Sequence, residues 1–258
     1  AELEGKIREL QENIRQRKEA EDALALQTKE LLRSNADLER FAYIASHDLQ
    51  EPLRTVMSYV QLLEQRYKDK LDAQATEFIA YAVDGVNWMQ ALINGLLTYS
   101  RVGTQAEEFR SVDCNATIKR VLRNLQVMIK ENNAEVTSDL LPVINADNSQ
   151  IELLFQNLVG NGIKFHTEQQ PRVHISVEDK FTEWVFCVSD NGIGIPPQSA
   201  ERIFEMFQRL HTRKKYPGTG IGLAVCKKIV ERHGGAIWVK SEMGEGAKFY
   251  FTIPKKMR

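Results

Sequence analysis

The stretch Ser46-His47-Asp48-Leu49-Gln50-Glu51-Pro52-Leu53 sets one imidazole among two carboxylates. Imidazole is the side chain best suited to nucleophilic attack near neutral pH. One ring nitrogen attacks only while the other keeps its proton, and a nearby carboxylate holds that tautomer. Two acids are in place for this. Glu51 is four residues on, the spacing that brings helical side chains together, and Asp48 is adjacent, where the geometry is less favourable. The stretch lies in a long helical pattern whose seam is Leu38, Ala42, Ala45, Leu49, Pro52 and Val56, at alternating steps of four and three. His47 falls off that seam, so it is expected to point outward. A surface histidine beside two acids has the same appearance, and the rest of the chain has to decide between the two.

Three segments further on carry chemistry of another kind. In Asn157-Leu158-Val159-Gly160-Asn161-Gly162-Ile163-Lys164-Phe165 the two asparagines sit on one helical face. Asn161 offers an oxygen to Mg²⁺, an ion that takes few protein ligands and keeps places for phosphate oxygens and water. Lys164, about one turn on, is placed to meet a phosphate. In Asp190-Asn191-Gly192-Ile193-Gly194 an acid follows an apolar run and precedes two glycines. The glycines let backbone approach a ligand, and the carboxylate accepts a hydrogen bond, for example from an exocyclic amine. In Gly218-Thr219-Gly220-Ile221-Gly222-Leu223 a glycine triplet opens a helix, whose free amides and positive dipole end suit phosphate. The triplet is neither a P-loop nor a dinucleotide fingerprint, since no Gly-Lys-Ser/Thr follows it and no strand directly precedes it. Each segment alone is common; the three in this order are specific.

The elements that must position these residues fall into two characters. Residues 1–45 lack proline and are rich in Glu, Lys, Arg, Leu, Ala and Gln. Leu3, Ile7, Leu10 and Ile14 make a heptad seam that Leu24, Leu31 and Leu38 continue, interrupted by Arg17 and Glu21 at seam positions. A parallel dimeric coiled coil is the expected way to bury that stripe, and a helix opening so abruptly points to a fragment with an upstream part. The helix continues past His47 to about Tyr67, with Pro52 expected to kink it. After a polar turn at 68–72, Asp72 caps a second helix carrying Phe78, Ala82, Gly85, Met89, Leu92, Leu96 and Tyr99 on one face. Two helices in hairpin, doubled in a homodimer, give a four-helix bundle. From about residue 105 the pattern becomes mixed. Helices are expected at 115–130, 149–164 and 220–233, with short strands between them and a closing hairpin at 236–253. The fold class is therefore multidomain, α followed by α+β: a coiled-coil helix over 1–35, a hairpin over 36–104 and an α/β sandwich over 105–258.

Composition narrows the functions. The chain has 258 residues, 43% hydrophobic, with a formal net charge of -1. Near-balanced charge gives no electrostatic case for nucleic acid. No run of about 18 apolar residues is present, so no membrane span is expected, and a cytoplasmic location follows, with an upstream anchor left open. Cys114, Cys187 and Cys226 are odd in number and widely spaced, unlike a disulfide framework or zinc site.

From about residue 36 the whole chain resembles the transmitter region of a sensor histidine kinase of two-component signalling. His47 to Leu53 is similar to the phosphoacceptor box, 156–165 to the N box and 190–194 to the first glycine box. Ile203-Phe204-Glu205-Met206-Phe207 resembles the F box, and 218–223 the second glycine box. The wording of the first box resembles kinases that follow phytochrome or PAS sensors. The resemblance implies a C-terminal ATP fold shared with gyrase and the mismatch-repair ATPases, with ATP and Mg²⁺ as cofactors. It also implies roles. Asp190 reads the adenine amine, Phe165 lies against adenine, and Asn161 holds Mg²⁺ with Asn157 close by. Residues 196–217 form a lid whose Arg209 reaches the γ-phosphate. Asp48 serves as base or orienter, ahead of Glu51, although the two can act together. The implied partners are a second copy, a response-regulator receiver domain and an upstream sensor. Many relatives carry Thr or Asn where Glu51 stands, so phosphatase activity does not carry over. Two other readings share the nucleotide boxes: an ATPase that drives conformational change without phosphohistidine, and a nucleotide-binding dimeric scaffold. His47 with its acids counts against the first. Intact Asn161 and Asp190, with all three glycines of the second box, count against the other.

Overall fold

The computed structural model describes residues 2–67, 70–104, 107–212, 216 and 218–255; within them the side chains of 2, 4, 7–10, 31, 32, 34–43, 45, 47 and 104 stand outside the description. Two helices come first, α1 (Glu2–Tyr67) and α2 (Ala73–Thr104). Residues 1–45 form one compact unit and residues 46–258 another.

In the first unit the two seam charges satisfy each other: Arg17 Nε meets Glu21 Oε1 at 3.0 Å along the same helix. Leu3, Ile14 and Leu24 are exposed; the side chains of Ile7, Leu10, Leu31 and Leu38 lie outside the described residues. The direction His47 points likewise falls outside them. Helix α1 runs through Pro52 without interruption. Among the described residues no helix is long and apolar enough to cross a membrane.

Asp72 caps α2 as expected, its Oδ1 accepting from Ala75 N at 2.7 Å. Within the hairpin α2 buries Val86, Ile93 and Leu97, while Leu53, Met57 and Val60 of α1 are half-buried. The expected seam is mostly left open: Leu49 is 53% and Phe78 60% exposed. Its far end behaves differently. Leu92 and Tyr99 pack on the core of the following domain, so one face of α2 serves the bundle at one end and the α/β domain at the other.

That domain contains β1 (Arg110–Asp113), α3 (Cys114–Asn124), α4 (Gln126–Glu131), β2 (Glu135–Ser138), β3 (Val143–Ala146) and α5 (Asn148–Lys164). It continues with β4 (Arg172–Asp179), β5 (Glu183–Asp190), α6 (Gly222–Arg232), β6 (Ile237–Glu242) and β7 (Gly246–Pro254). The main sheet has the order β2-β4-β5-β7-β6, and β1 pairs β3 in a separate antiparallel ribbon. Only β2–β4 is parallel. Alternation sorts the strands: Val173, Ile175, Phe186, Val188, Phe249, Phe251 and Ile253 are buried, facing Ile151, Leu154, Phe155 and Leu158 of α5. Phe155 meets Phe186 and Phe251 edge-on, with centroids 5.8 and 5.6 Å away.

The single helix expected over 115–130 is two. Leu125 breaks it with φ -92° and ψ 6°, and is itself buried. Beyond the break Met128 and Ile129 pack on the core. Asp147 starts α5 by accepting from Gln150 N at 3.1 Å, and Asp113 starts α3 by accepting from Asn115 N at 2.8 Å.

Candidate nucleotide site and phosphoacceptor stretch

The nucleotide segments converge on one cavity of about 370 Å³, within the range of small-molecule sites. Helix α5 supplies Asn157, Asn161 and Lys164 to it, and Phe165 just beyond its end. The end of β5 supplies Asp190, followed by Gly194. Gly218, Thr219, Gly220, Gly222 and Leu223 form the opposite rim, with Arg209 from the preceding loop. Of the expected binding residues, only Gly192 does not line the cavity. It lies beneath, donating its amide to Asp190 Oδ1 at 2.9 Å. A β-carbon there would sit 2.3 Å from the Phe165 carbonyl oxygen, so no other residue fits this crossing. Gly220 has φ +76° and closes on the Gln208 carbonyl, 2.6 Å from where its β-carbon would be.

Asp190 Oδ1 also accepts from Ala247 N at 3.1 Å. Burial pushes its carboxyl up to about 6, against the pull of these two amide bonds. Both bonds end on Oδ1, which leaves Oδ2 to accept from a ligand. Asn157 is tied down through Nδ2, which donates to Leu153 O at 3.0 Å. Asn161 has no side-chain hydrogen bond among the described residues, and it faces the cavity. Lys164 Nζ stands 4.4 Å above the Phe165 ring. Burial, and next the Arg209 charge, bring its pKa down to about 8. Arg209 Nη2 donates to Tyr216 O at 2.9 Å, and Tyr216 packs its ring 5.1 Å from that of Phe165. The amides opening α6 remain available, with Thr219 Oγ1 accepting only a long bond of 3.4 Å from Ile221 N.

One part of the wall went unnoticed in the sequence, and another was expected only as a stretch of the 196–217 lid. Gly95 and Thr98 of α2 line the cavity, and a β-carbon at Gly95 would lie 2.7 Å from Ile221 Cδ1. A glycine inside a helix was the available signal for a close approach. His211 and Tyr216 carried no comparable signal.

The phosphoacceptor stretch lies elsewhere, on α1. Asp48 and Glu51 are exposed. Gln50 Nε2 donates to Asn94 Oδ1 at 3.0 Å, so this part of α1 lies level with the turn of α2 that carries Gly95. Glu51 shares a polar recess with Gln50, Arg54, Gln90 and Asn94.

A histidine-bearing hairpin beside a cavity built of asparagine, acid and glycine rims defines a class of nucleotide-using signalling proteins, and comparison with known proteins agrees. Residues 37–105 match the His Kinase A (phospho-acceptor) domain, and 146–257 match the histidine kinase-, DNA gyrase B- and HSP90-like ATPase. Cyanobacterial phytochrome A of Nostoc sp. is 56% identical over 233 residues, an overlap of 90% of this chain and 30% of that protein. Full-length ShkA, solved in complex with AMPPNP, has a TM-score of 0.64 at 28% identity, over 85% of this chain and 46% of that one. The nucleotide-free catalytic domain of the histidine kinase ThkA has a TM-score of 0.50 at 31% identity, over 58% of this chain and 99% of that one. The chain belongs to the sensor histidine kinase family and carries its transmitter region.

Proposed function

We propose that this chain is an ATP-dependent protein-histidine kinase that phosphorylates His47 and passes the phosphoryl group to an aspartate of a response-regulator receiver domain. The observation that carries it is the single cavity uniting Asn161, Asp190 and the glycines of 218–222 in a chain that also bears His47, followed by Asp48 and Glu51, on a hairpin. Asp190 Oδ2 accepts from the adenine amine and Phe165 lies against the base. Lys164, Arg209 and the first amides of α6 hold the phosphates. The donor set fits Mg²⁺: among the described residues no cluster of three His, Cys, Asp or Glu exists, whereas Asn161 presents an unpartnered amide oxygen. Asn161 would hold Mg²⁺ there, and the ion would supply charge neutralisation. Nε2 of His47 attacks the γ-phosphorus, the bond to the β–γ bridging oxygen breaks, and ADP leaves with that electron pair. Asp48, with Glu51 beside it, keeps the proton on the other ring nitrogen. A cytoplasmic location belongs to the same reading. The open seam of Leu49, Val56, Phe78 and Met89 supports a homodimeric bundle, and an upstream sensor acts through α1.

The test is incorporation from γ-labelled ATP into a chain that sediments as a dimer. Acid-labile, alkali-stable label is expected; an acid-stable label, or nucleotide hydrolysis without label, removes the proposal.

A pH dependence follows from the two perturbed groups. Below about 6 Asp190 gains a proton and opposes the amine with a donor, so affinity for ATP falls as pH drops through that value. Above about 8 Lys164 loses its charge and the phosphates lose an anchor. Affinity is expected to plateau between them. Asp190→Asn flattens the acidic limb relative to wild type and Lys164→Gln the alkaline one, and the comparison cancels the titration of the nucleotide itself. Limbs that persist unchanged in the variants would assign them to other groups.

A further inference from the structure

Four segments meet in a polar cluster outside the nucleotide cavity: the end of α2, the segment before β1, the start of α5 and the end of α6. Gln150, 6% exposed, donates Nε2 to Val102 O of α2 at 3.1 Å. Its Oε1 accepts from Arg232 Nη1 at 2.8 Å. The same nitrogen meets Asp147 Oδ2 at 3.0 Å, with the Asp147 side chain 1% exposed. Arg232 Nη2 donates to Glu107 O at 3.0 Å, and Glu107 N donates back to Asp147 Oδ2 at 2.9 Å. Phe109 lies under the guanidinium, 4.6 Å from Cζ, and its ring is 4.6 Å from that of His233. His233 is held neutral, since Nε2 accepts from Asp147 N at 3.1 Å and Nδ1 donates to Ile229 O at 2.7 Å.

A buried ion pair costs desolvation, and is retained with profit only where its hydrogen bonds fix a geometry. Here one bond fixes how the α/β domain meets α2, two fix the segment after that helix, and the other four brace them from within the domain. The Gln150–Val102 bond and both bonds to Glu107 leave the domain and reach the helix and the segment that follows it. Val102 lies one turn beyond Thr98 and two beyond Gly95, the two α2 residues in the cavity wall. The Gln50–Asn94 bond ties the His47 stretch to that same part of α2. The cluster therefore holds the end of the helix whose rotation or sliding would change the separation of cavity and histidine. None of its residues lines the cavity.

We propose that Gln150, braced by Arg232 and Asp147, is a positioning residue for phosphoryl transfer: it latches the end of α2 to the α/β domain and so sets the nucleotide cavity at the level of His47. The inference rests on the autokinase reading. Misplacement by about 1 Å costs up to about a hundredfold in rate when reacting groups must align, whereas binding that depends on the cavity's own donors is untouched.

The experiment uses the full chain with Gln150→Glu and Gln150→Leu. The glutamate keeps an acceptor for Arg232 but loses the donor to the Val102 carbonyl; leucine loses both. Four quantities are measured: thermal midpoint, ATP affinity, autophosphorylation rate at saturating ATP, and amide exchange at Glu107 and the last turn of α2. In Gln150→Glu the fold and ATP affinity are expected to hold, exchange at those amides to rise, and the saturated rate to fall by about ten- to a hundredfold. An unchanged rate overturns the proposal. A raised rate overturns it as well, because the latch would then restrain transfer. Should Gln150→Leu fail to fold, Gln150→Glu decides alone. Should wild type take up no label, the kinase reading fails separately, and unchanged exchange in Gln150→Glu would still dispose of the latch.

Discussion

His47→Gln is expected to end phosphoryl incorporation while ATP binds as in wild type. Glutamine keeps the polarity and much of the bulk of histidine, but its amide nitrogen is delocalised into the carbonyl and is no nucleophile. The polar groups of the cavity come from the α/β domain, with Gly95 and Thr98 of α2 as the added wall. None belongs to α1, so nothing that holds nucleotide is altered. Filter-bound label and a nucleotide titration on the same preparation separate the two effects. Incorporation at the wild-type rate would move the phosphoacceptor to another side chain, while lost binding would place α1 in the nucleotide site.

The second large effect is expected at Asn161. Asn157, one turn earlier, has its amide tied to the Leu153 carbonyl, whereas Asn161 offers the cavity an amide with no partner among the described residues. Asn161→Ala should lower the affinity for ATP in the presence of Mg²⁺ by about a hundredfold, the upper end of what a displaced metal-site partner costs. It should change affinity little when Mg²⁺ is chelated. Asp190→Asn behaves differently: the metal dependence stays and discrimination for adenine over guanine is lost, since an amide can satisfy either base edge. Titrations of both nucleotides with and without Mg²⁺ give the four comparisons. Equal losses with and without the ion would make Asn161 a structural residue of α5.

Much of this was legible because glycine, asparagine and acid spacing is local chemistry. The segments at 157–165, 190–194 and 218–223 could be read as cavity rims one at a time, and the cap at Asp72 is a short-range hydrogen bond. What was hidden is long-range. Periodicity put Leu92 and Tyr99 on the same face as Phe78, and nothing in a helical repeat says that its two ends meet different partners. The break at Leu125 was invisible because leucine is a good helix former, and nothing local to the residue marks it as a break. Gln150 reads as an ordinary polar position in a helix, yet its bond to Arg232 spans 82 residues. Gly95 carried a signal that was not taken up: a helix interior tolerates the loss of a side chain where another residue needs the space.

The setting of Lys164 gives it a second chemical character. An amine with an ordinary pKa near 10.5 is almost wholly protonated at neutral pH, and its nitrogen lone pair is out of use. With the value brought down to about 8 by burial, a larger share of the Lys164 side chains carries a free lone pair near neutral pH than an ordinary lysine does. A lysine so placed is readier than an ordinary exposed one to acylate or to form an imine. It stands beside the Phe165 ring at the mouth of the phosphate rim, where bound nucleotide would shield it. The cavity thus carries its own chemical handle, and the extent of its modification would report how much of the cavity is filled.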